Sequence, residues 1–435
     1  MTRLRIESVV CVRLFAAALV FTTTGAGQLV PTTNSQVRDP GVRAGVPSAG
    51  GPLNGLTAAE SAAFNAGSAA FQEIDGVAEG LGPRFNLDSC AGCHAFPAVG
   101  GTSPAVNPQI VTATKMGARN QVPSFLSPSG PVREVRFKQN RDGTADGGVH
   151  ALFTITGRGD ARGCSISQPD FSNLGNLTFR IPTPIFGGGL IEAISDTTLR
   201  NNLSANSRQK AQMGISGELN TNGNDGTVTR FGWKAQNKSL VLFSGEAYNV
   251  EQGVTNMIFV TEREEGGSCA LNGTPEDGFA LSSLTDVLEF ANFMRLTAPP
   301  APAPRTNSTN NGRLVFDSVG CSLCHTPTLT TGNAASAALR SQPVNLFSDL
   351  AVHAMGSTLA DGITQGAAGP AEFRTAPLWG LGQRIFFLHD GRSKDLLETI
   401  RLHSSPGSEA NAVIGAFNNL SASQQQDLLN FLRSL

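Results

Sequence analysis

The chain has 435 residues, enough for two or three domains with separate cores. Its net charge of −2 excludes a polyanion-binding surface, and with it nucleic acid as a partner. Its 25 Phe against one Tyr and two Trp suit the lining of large apolar cavities as well as an ordinary core.

The first residues to carry a signal are Arg3, Arg5 and Arg13, an apolar run over residues 14–21, and the small residues Gly25, Ala26 and Gly27. This order reads as a secretory signal peptide over residues 1–27, whose apolar part is too short to anchor in a bilayer. Cys11 precedes the apolar run, which argues against a lipoprotein anchor. No later stretch is long and apolar enough to span a membrane, so the mature protein is expected in the periplasm or secreted. Residues 28–56, rich in Pro, Gly, Thr and Ser without apolar periodicity, are predicted to be a flexible leader. Thr57-Ala58-Ala59-Glu60 is then a capping box that opens a helix with Phe64 and Phe71 on one face.

The string Cys90-Ala91-Gly92-Cys93-His94 follows. It is a C-x-x-C-H haem-attachment motif, in which two thiols add to the haem vinyl groups and the His gives a nitrogen to the iron. Downstream, residues 132–137 and 149–155 read as strands with Asp142-Gly143 and Asp146-Gly147 as turns, inside a β-rich insertion over about 110–230. Cys164 and Cys269 are expected to pair as a disulfide in an oxidising compartment. A run of Ala and Pro over residues 298–304 marks a semi-rigid extended linker, residues 298–306. Beyond it lies a second haem string, Cys321-Ser322-Leu323-Cys324-His325.

Among 7 Cys and 6 His, two such strings are not accidental. Zinc ribbons place their Cys pairs close together in sequence, whereas these lie in opposite halves of the chain, and a redox dithiol has no need of the following His. The chain also repeats itself around the linker. Gly67 to Phe71 and Gly312 to Phe316 are both G-x-x-x-F ahead of a haem string. Leu281-Ser282-Ser283 leads to Asn292-Phe293-Met294-Arg295, as Leu420-Ser421-Ala422 leads to Asn430-Phe431-Leu432-Arg433. The expected fold is therefore mainly α: two cytochrome-c-like haem domains, residues 57–297 with the β-rich insertion and residues 307–435, holding two covalently bound haem c groups.

This layout resembles the bacterial di-haem cytochrome c peroxidases and methylamine-utilisation enzymes, most nearly the di-haem oxidoreductase branch sometimes labelled thiol oxidoreductase. Beyond the haem strings the likeness rests on Gly80-Leu81-Gly82-Pro83-Arg84-Phe85-Asn86, on Arg230-Phe231-Gly232-Trp233-Lys234-Ala235 running to Glu251-Gln252-Gly253-Val254-Thr255, and on Phe373-Arg374-Thr375-Ala376-Pro377-Leu378-Trp379-Gly380 running to Phe387-Leu388-His389-Asp390-Gly391-Arg392. The resemblance implies a peroxidase-type oxidoreductase in which the first haem is catalytic and the second passes it electrons. It implies Trp233 as the bridge between them and Glu251 as distal acid/base, a role that suits a carboxylate. It also implies hydrogen peroxide as substrate and a small periplasmic cytochrome c or cupredoxin as donor. Phe243 stands where relatives often carry a distal Gln.

For the second iron the resemblance points to His403, carried by a helix predicted over residues 395–402, with Met355 as the alternative and His353 as a further competitor. His389 is read as orienting the Asp390-Gly391 turn or meeting a haem propionate. Ligation by Tyr, as in the methylamine-utilisation relative, is disfavoured because the only Tyr, Tyr248, is remote from the second motif. Two other functions compete. One is a high-valent di-haem enzyme oxidising an external protein or organic substrate. The other is a plain electron carrier, which needs His150 or Met116 to cap the first haem.

Overall fold

A computed structural model of the protein describes residues 36–45, 47, 49–263, 268–279 and 283–435. Residues 1–35, with the expected signal peptide and the first part of the expected leader, lie outside them, as do Leu281 and Ser282. The chain is 32% helix and 11% strand, so the mainly α expectation gives way to a mixed fold, with four small sheets among the described residues.

Two helix pairs organise it. In the first, the opening helix Ala58–Gln72 crosses the closing helix Asp286–Leu296, which also packs on a central helix, Leu240–Gln252. In the second, Asn307–Ser318 crosses Ala422–Ser434. The Thr57/Glu60 and Ser421/Gln424 capping boxes both form. The repeated G-x-x-x-F now has a physical cause. A Cβ on Gly67 would stand 2.2 Å from Glu289 O, and one on Gly312 would stand 2.0 Å from Asp427 O, so only glycine lets these helix backbones meet. One turn on, Phe71 packs edge-on to the His94 ring at 5.9 Å and Phe316 lies 6.3 Å from the His325 ring.

The predicted strand over residues 149–155 is split between two sheets. Val149–His150 joins Glu134–Phe137 and Leu177–Arg180, whereas Phe153–Thr154 pairs with Arg84–Phe85. The break follows from Asn86, whose side-chain oxygen takes the Leu152 N–H at 2.9 Å and draws that peptide out of the ladder. Within the span 110–230 the strands end at Arg180, and helices Gly188–Ala193, Asp196–Ser204 and Ser207–Met213 follow. Cys164 and Cys269 are bonded.

Where it is described, the expected leader makes specific contacts with the second helix pair. Asp39 makes a buried two-pronged ion pair with Arg433, at 2.7 and 2.6 Å, and accepts the Leu396 N–H at 2.7 Å. Arg38 exchanges backbone bonds with the Gln426 side chain, Arg43 N–H donates to Gly382 O at 2.7 Å, and Val37 packs on the second core. The linker is also packed. Pro300 is buried beside Gly380, and Ala303 N–H donates to Ser434 O at 2.7 Å.

Candidate haem sites and the wall between them

Each C-x-x-C-H string lies against a large cavity. The first is lined by Cys90, Cys93 and His94, the second by Cys321, Cys324 and His325. None of the four thiols is in a disulfide, and among the described residues no three His, Cys, Asp or Glu converge as a metal-ion site. Burial raises all four thiol pKa values, that of Cys321 to about 12.

The two imidazoles are prepared alike. His94 Nδ1 lies 2.9 Å from Gly101 O, and His325 Nδ1 lies 2.9 Å from Phe347 O. A carbonyl can only accept, so each Nδ1 carries the proton and each Nε2 keeps its lone pair. Burial lowers both pKa values to about 4, so both rings are neutral, the form that binds iron. Two thiols, one oriented neutral imidazole and an apolar cavity at each site fit a covalently held haem.

The two cavities differ in what else faces them. In the second, His403 sits in the turn just past helix Leu396–Arg401, not on the helix itself. It is held nonetheless. Its Nδ1 donates to Thr399 O at 2.8 Å, and Thr399 Oγ1 is itself bonded to Asp395 O at 2.8 Å and Ser393 Oγ at 3.1 Å. Nε2 is left free, and burial keeps this pKa low too. Met355 lines the same cavity. His353 also lines it, but both of its nitrogens are taken, by Asp349 at 3.0 Å and Glu409 at 2.8 Å, so it is an ion-paired structural residue. His389 stacks on Phe373 at 4.3 Å between ring centroids. Tyr248 lines the first cavity, not the second, and its hydroxyl bonds Asp286 at 3.2 Å and Asp75 at 3.4 Å.

In the first cavity, Glu251 projects from the last turn of the central helix. Its carboxyl group has no hydrogen-bond partner among the described residues. Burial, with the nearby Glu134 and Glu246 carboxylates, raises its pKa to about 8 against the opposing pull of Arg136. Phe243 lines the cavity as well, and so does Gln236, whose buried Oε1 has no partner. Gln236 stands only three residues after Trp233 and seven before Phe243, the position that the resemblance singles out. His150 and Met116 do not line this cavity. His150 pairs with Asp146 at 2.8 Å and stacks on Phe137, and Met116 Sδ takes the Arg158 guanidinium at 3.4 Å. Met294, the one thioether on the cavity wall, is packed in the helical core.

Trp233 is the residue that lines both cavities. Its Nε1–H donates to Ile181 O at 2.9 Å, and its carbonyl accepts the Arg374 N–H at 2.9 Å. Its neighbour Lys234 is fully buried, with Nζ bonded to Gly369 O and Glu372 O at 2.8 Å each and 3.1 Å from Asp361. Asp361 also holds Arg180, at 2.9 Å, from the strand that leads to Ile181. The indole is thus fixed from both sides by the chain segments on which it rests.

The family profile described as "Di-haem oxidoreductase, putative peroxidase" matches residues 150–435. Comparison with curated proteins finds no match. Among solved structures, the di-haem peroxidase BthA from Burkholderia thailandensis is 16% identical with a TM-score of 0.30, covering 47% of this chain and 65% of that one, just under two thirds of its length. A MauG-like protein associated with microbial copper homeostasis is 16% identical with a TM-score of 0.29, covering 56% and 89% of the two chains. The hydrazine synthase of Kuenenia stuttgartiensis is 15% identical with a TM-score of 0.24, covering 63% and 97%. With every overlap this low, assignment rests on the sequence profile.

Proposed function

Since the chain belongs to the di-haem oxidoreductase family, we propose that it is an exported peroxidase-type enzyme with two haems held as thioethers, through Cys90/Cys93 and Cys321/Cys324. The observation that carries this reading is the asymmetry of the two cavities. The second offers the iron two imidazoles, His325 and His403; the first offers His94 and, facing the same space, the acid Glu251. When bound, the haems supply the redox chemistry, taking electrons from a small cytochrome c or cupredoxin and delivering them to hydrogen peroxide.

The protein's own part is orientation and proton handling. Reduction of peroxide to two waters consumes two electrons and two protons. Glu251 in its ionised form takes a proton from the incoming peroxide at a carboxylate oxygen and returns it to the departing oxygen. Its raised pKa keeps that proton available near neutral pH. Gln236 offers a further polar group on a cavity wall that also holds Phe243, Phe71 and Ile185. Trp233 fixes an indole in the wall shared by the two cavities, where electrons must cross. The electron-carrier alternative loses support because neither His150 nor Met116 reaches the first cavity. Export is supported by the Cys164–Cys269 bond. Among the described residues no helix is long and apolar enough to cross a membrane.

Mass analysis of the denatured protein made with the haem c attachment machinery is expected to give two haem additions, and the native protein should consume peroxide with a reduced small donor. One addition or none would contradict covalent attachment at both sites, and two haems without peroxide consumption would remove the peroxidase reading.

A further inference from the structure

In the wall between the cavities lie two guanidinium groups with nothing to balance them. Arg374 and Arg384 are each only 9% exposed. Both line the cavity of the second motif and the narrow gap beside Trp233, and neither lines the first cavity. Arg374 spends its Nε on Gly232 O at 2.9 Å, and Arg384 makes one long bond from Nη2 to Pro377 O at 3.3 Å, leaving its buried Nε without a partner. No carboxylate stands within ion-pair distance of either among the described residues, and the Arg384 charge adds to burial in lowering the pKa of Arg374. Other buried arginines here are matched: Arg180 with Asp361, Arg230 with Asp196, Arg433 with Asp39. A buried guanidinium without a counter-charge is costly, and two side by side more so, unless an anion completes the site. His389 adds a third donor or acceptor to the same cavity, with its buried Nε2 unpartnered.

We propose that Arg374 and Arg384 form a carboxylate clamp that receives the propionate groups of the haem held by Cys321 and Cys324. This rests on the two-haem reading above and extends it to how that haem is oriented. The planar fork of arginine suits a carboxylate. Arg374 also holds the Gly232–Trp233 peptides through its Nε and its backbone N–H, so one residue ties the edge of the second haem to the indole in the wall.

Resonance Raman spectroscopy of the holoprotein tests this through the propionate bending bands, alongside the reduction midpoint of each haem. Arg374→Gln and Arg384→Gln are expected to shift those bands and to lower the midpoint of the second haem, because a positive charge beside it is lost. The first haem should be unaffected, and Arg384→Lys should restore the midpoint but not the bands. If Arg374→Gln does not accumulate with two haems, Arg384→Gln, whose single long bond to protein matters little for folding, decides alone. Unchanged bands and midpoints would overturn the clamp. So would a wild-type midpoint that follows chloride concentration with constant bands, since the pair would then hold a free anion. A wild-type protein carrying a single haem would instead overturn the two-haem reading itself.

Discussion

Replacing Glu251 by Gln is expected to cut peroxide turnover by about 10²–10⁴-fold, the usual range for loss of a general acid–base. The change is nearly isosteric and removes only the ability to exchange a proton. Haem content and the spectrum of the second haem should therefore stay as in the wild type. The same group sets a pH dependence. Burial, then Glu134 and Glu246, hold its pKa at about 8, above the ordinary carboxylate value, so below that pH the proton stays on and the base form is scarce. Wild-type turnover should rise as pH increases toward about 8 and then level off, while the Gln variant should be low and flat over the same range. Steady-state peroxide consumption across pH 5 to 9 checks both. Unchanged turnover in the variant would remove Glu251 from the reaction.

Replacing His403 by Gly is expected to open the second haem completely. Its imidazole faces the same cavity as His325, with Nδ1 tied to Thr399 and Nε2 free. Without it the second iron should turn from low to high spin and bind cyanide. Met355 lines that cavity too, and thioether ligation has a different signature: a near-infrared sulfur-to-iron band and a higher reduction potential. Optical and EPR spectra of His403→Gly and Met355→Ala, recorded side by side, separate the two. If the His403 variant looks like wild type while the Met355 variant does not, the ligand is the thioether.

What the sequence makes legible here is what sits close together along the chain. The two C-x-x-C-H strings, both capping boxes and the repeated G-x-x-x-F are local patterns, and each falls where a helix and a cavity need it. The family likeness adds Trp233 and Glu251, and these two do line the first cavity. What stays hidden depends on partners far away in sequence. Asp39 reads as one residue of a polar leader until Arg433 is brought to it. Asn86 breaks the predicted second strand from more than sixty positions upstream. His353 reads as a competitor for the second iron until Asp349 and Glu409 occupy both its nitrogens. The charge on Arg374 and Arg384 is visible in the sequence, but the absence of a nearby carboxylate is a property of the folded chain alone.

The account turns on the difference between the two haem sites, and the EPR spectrum of the oxidised wild-type protein reads that difference directly. One high-spin ferric signal that responds to peroxide and cyanide, beside one low-spin signal of bis-imidazole type, is the predicted result. Two low-spin signals that ignore both reagents would contradict it.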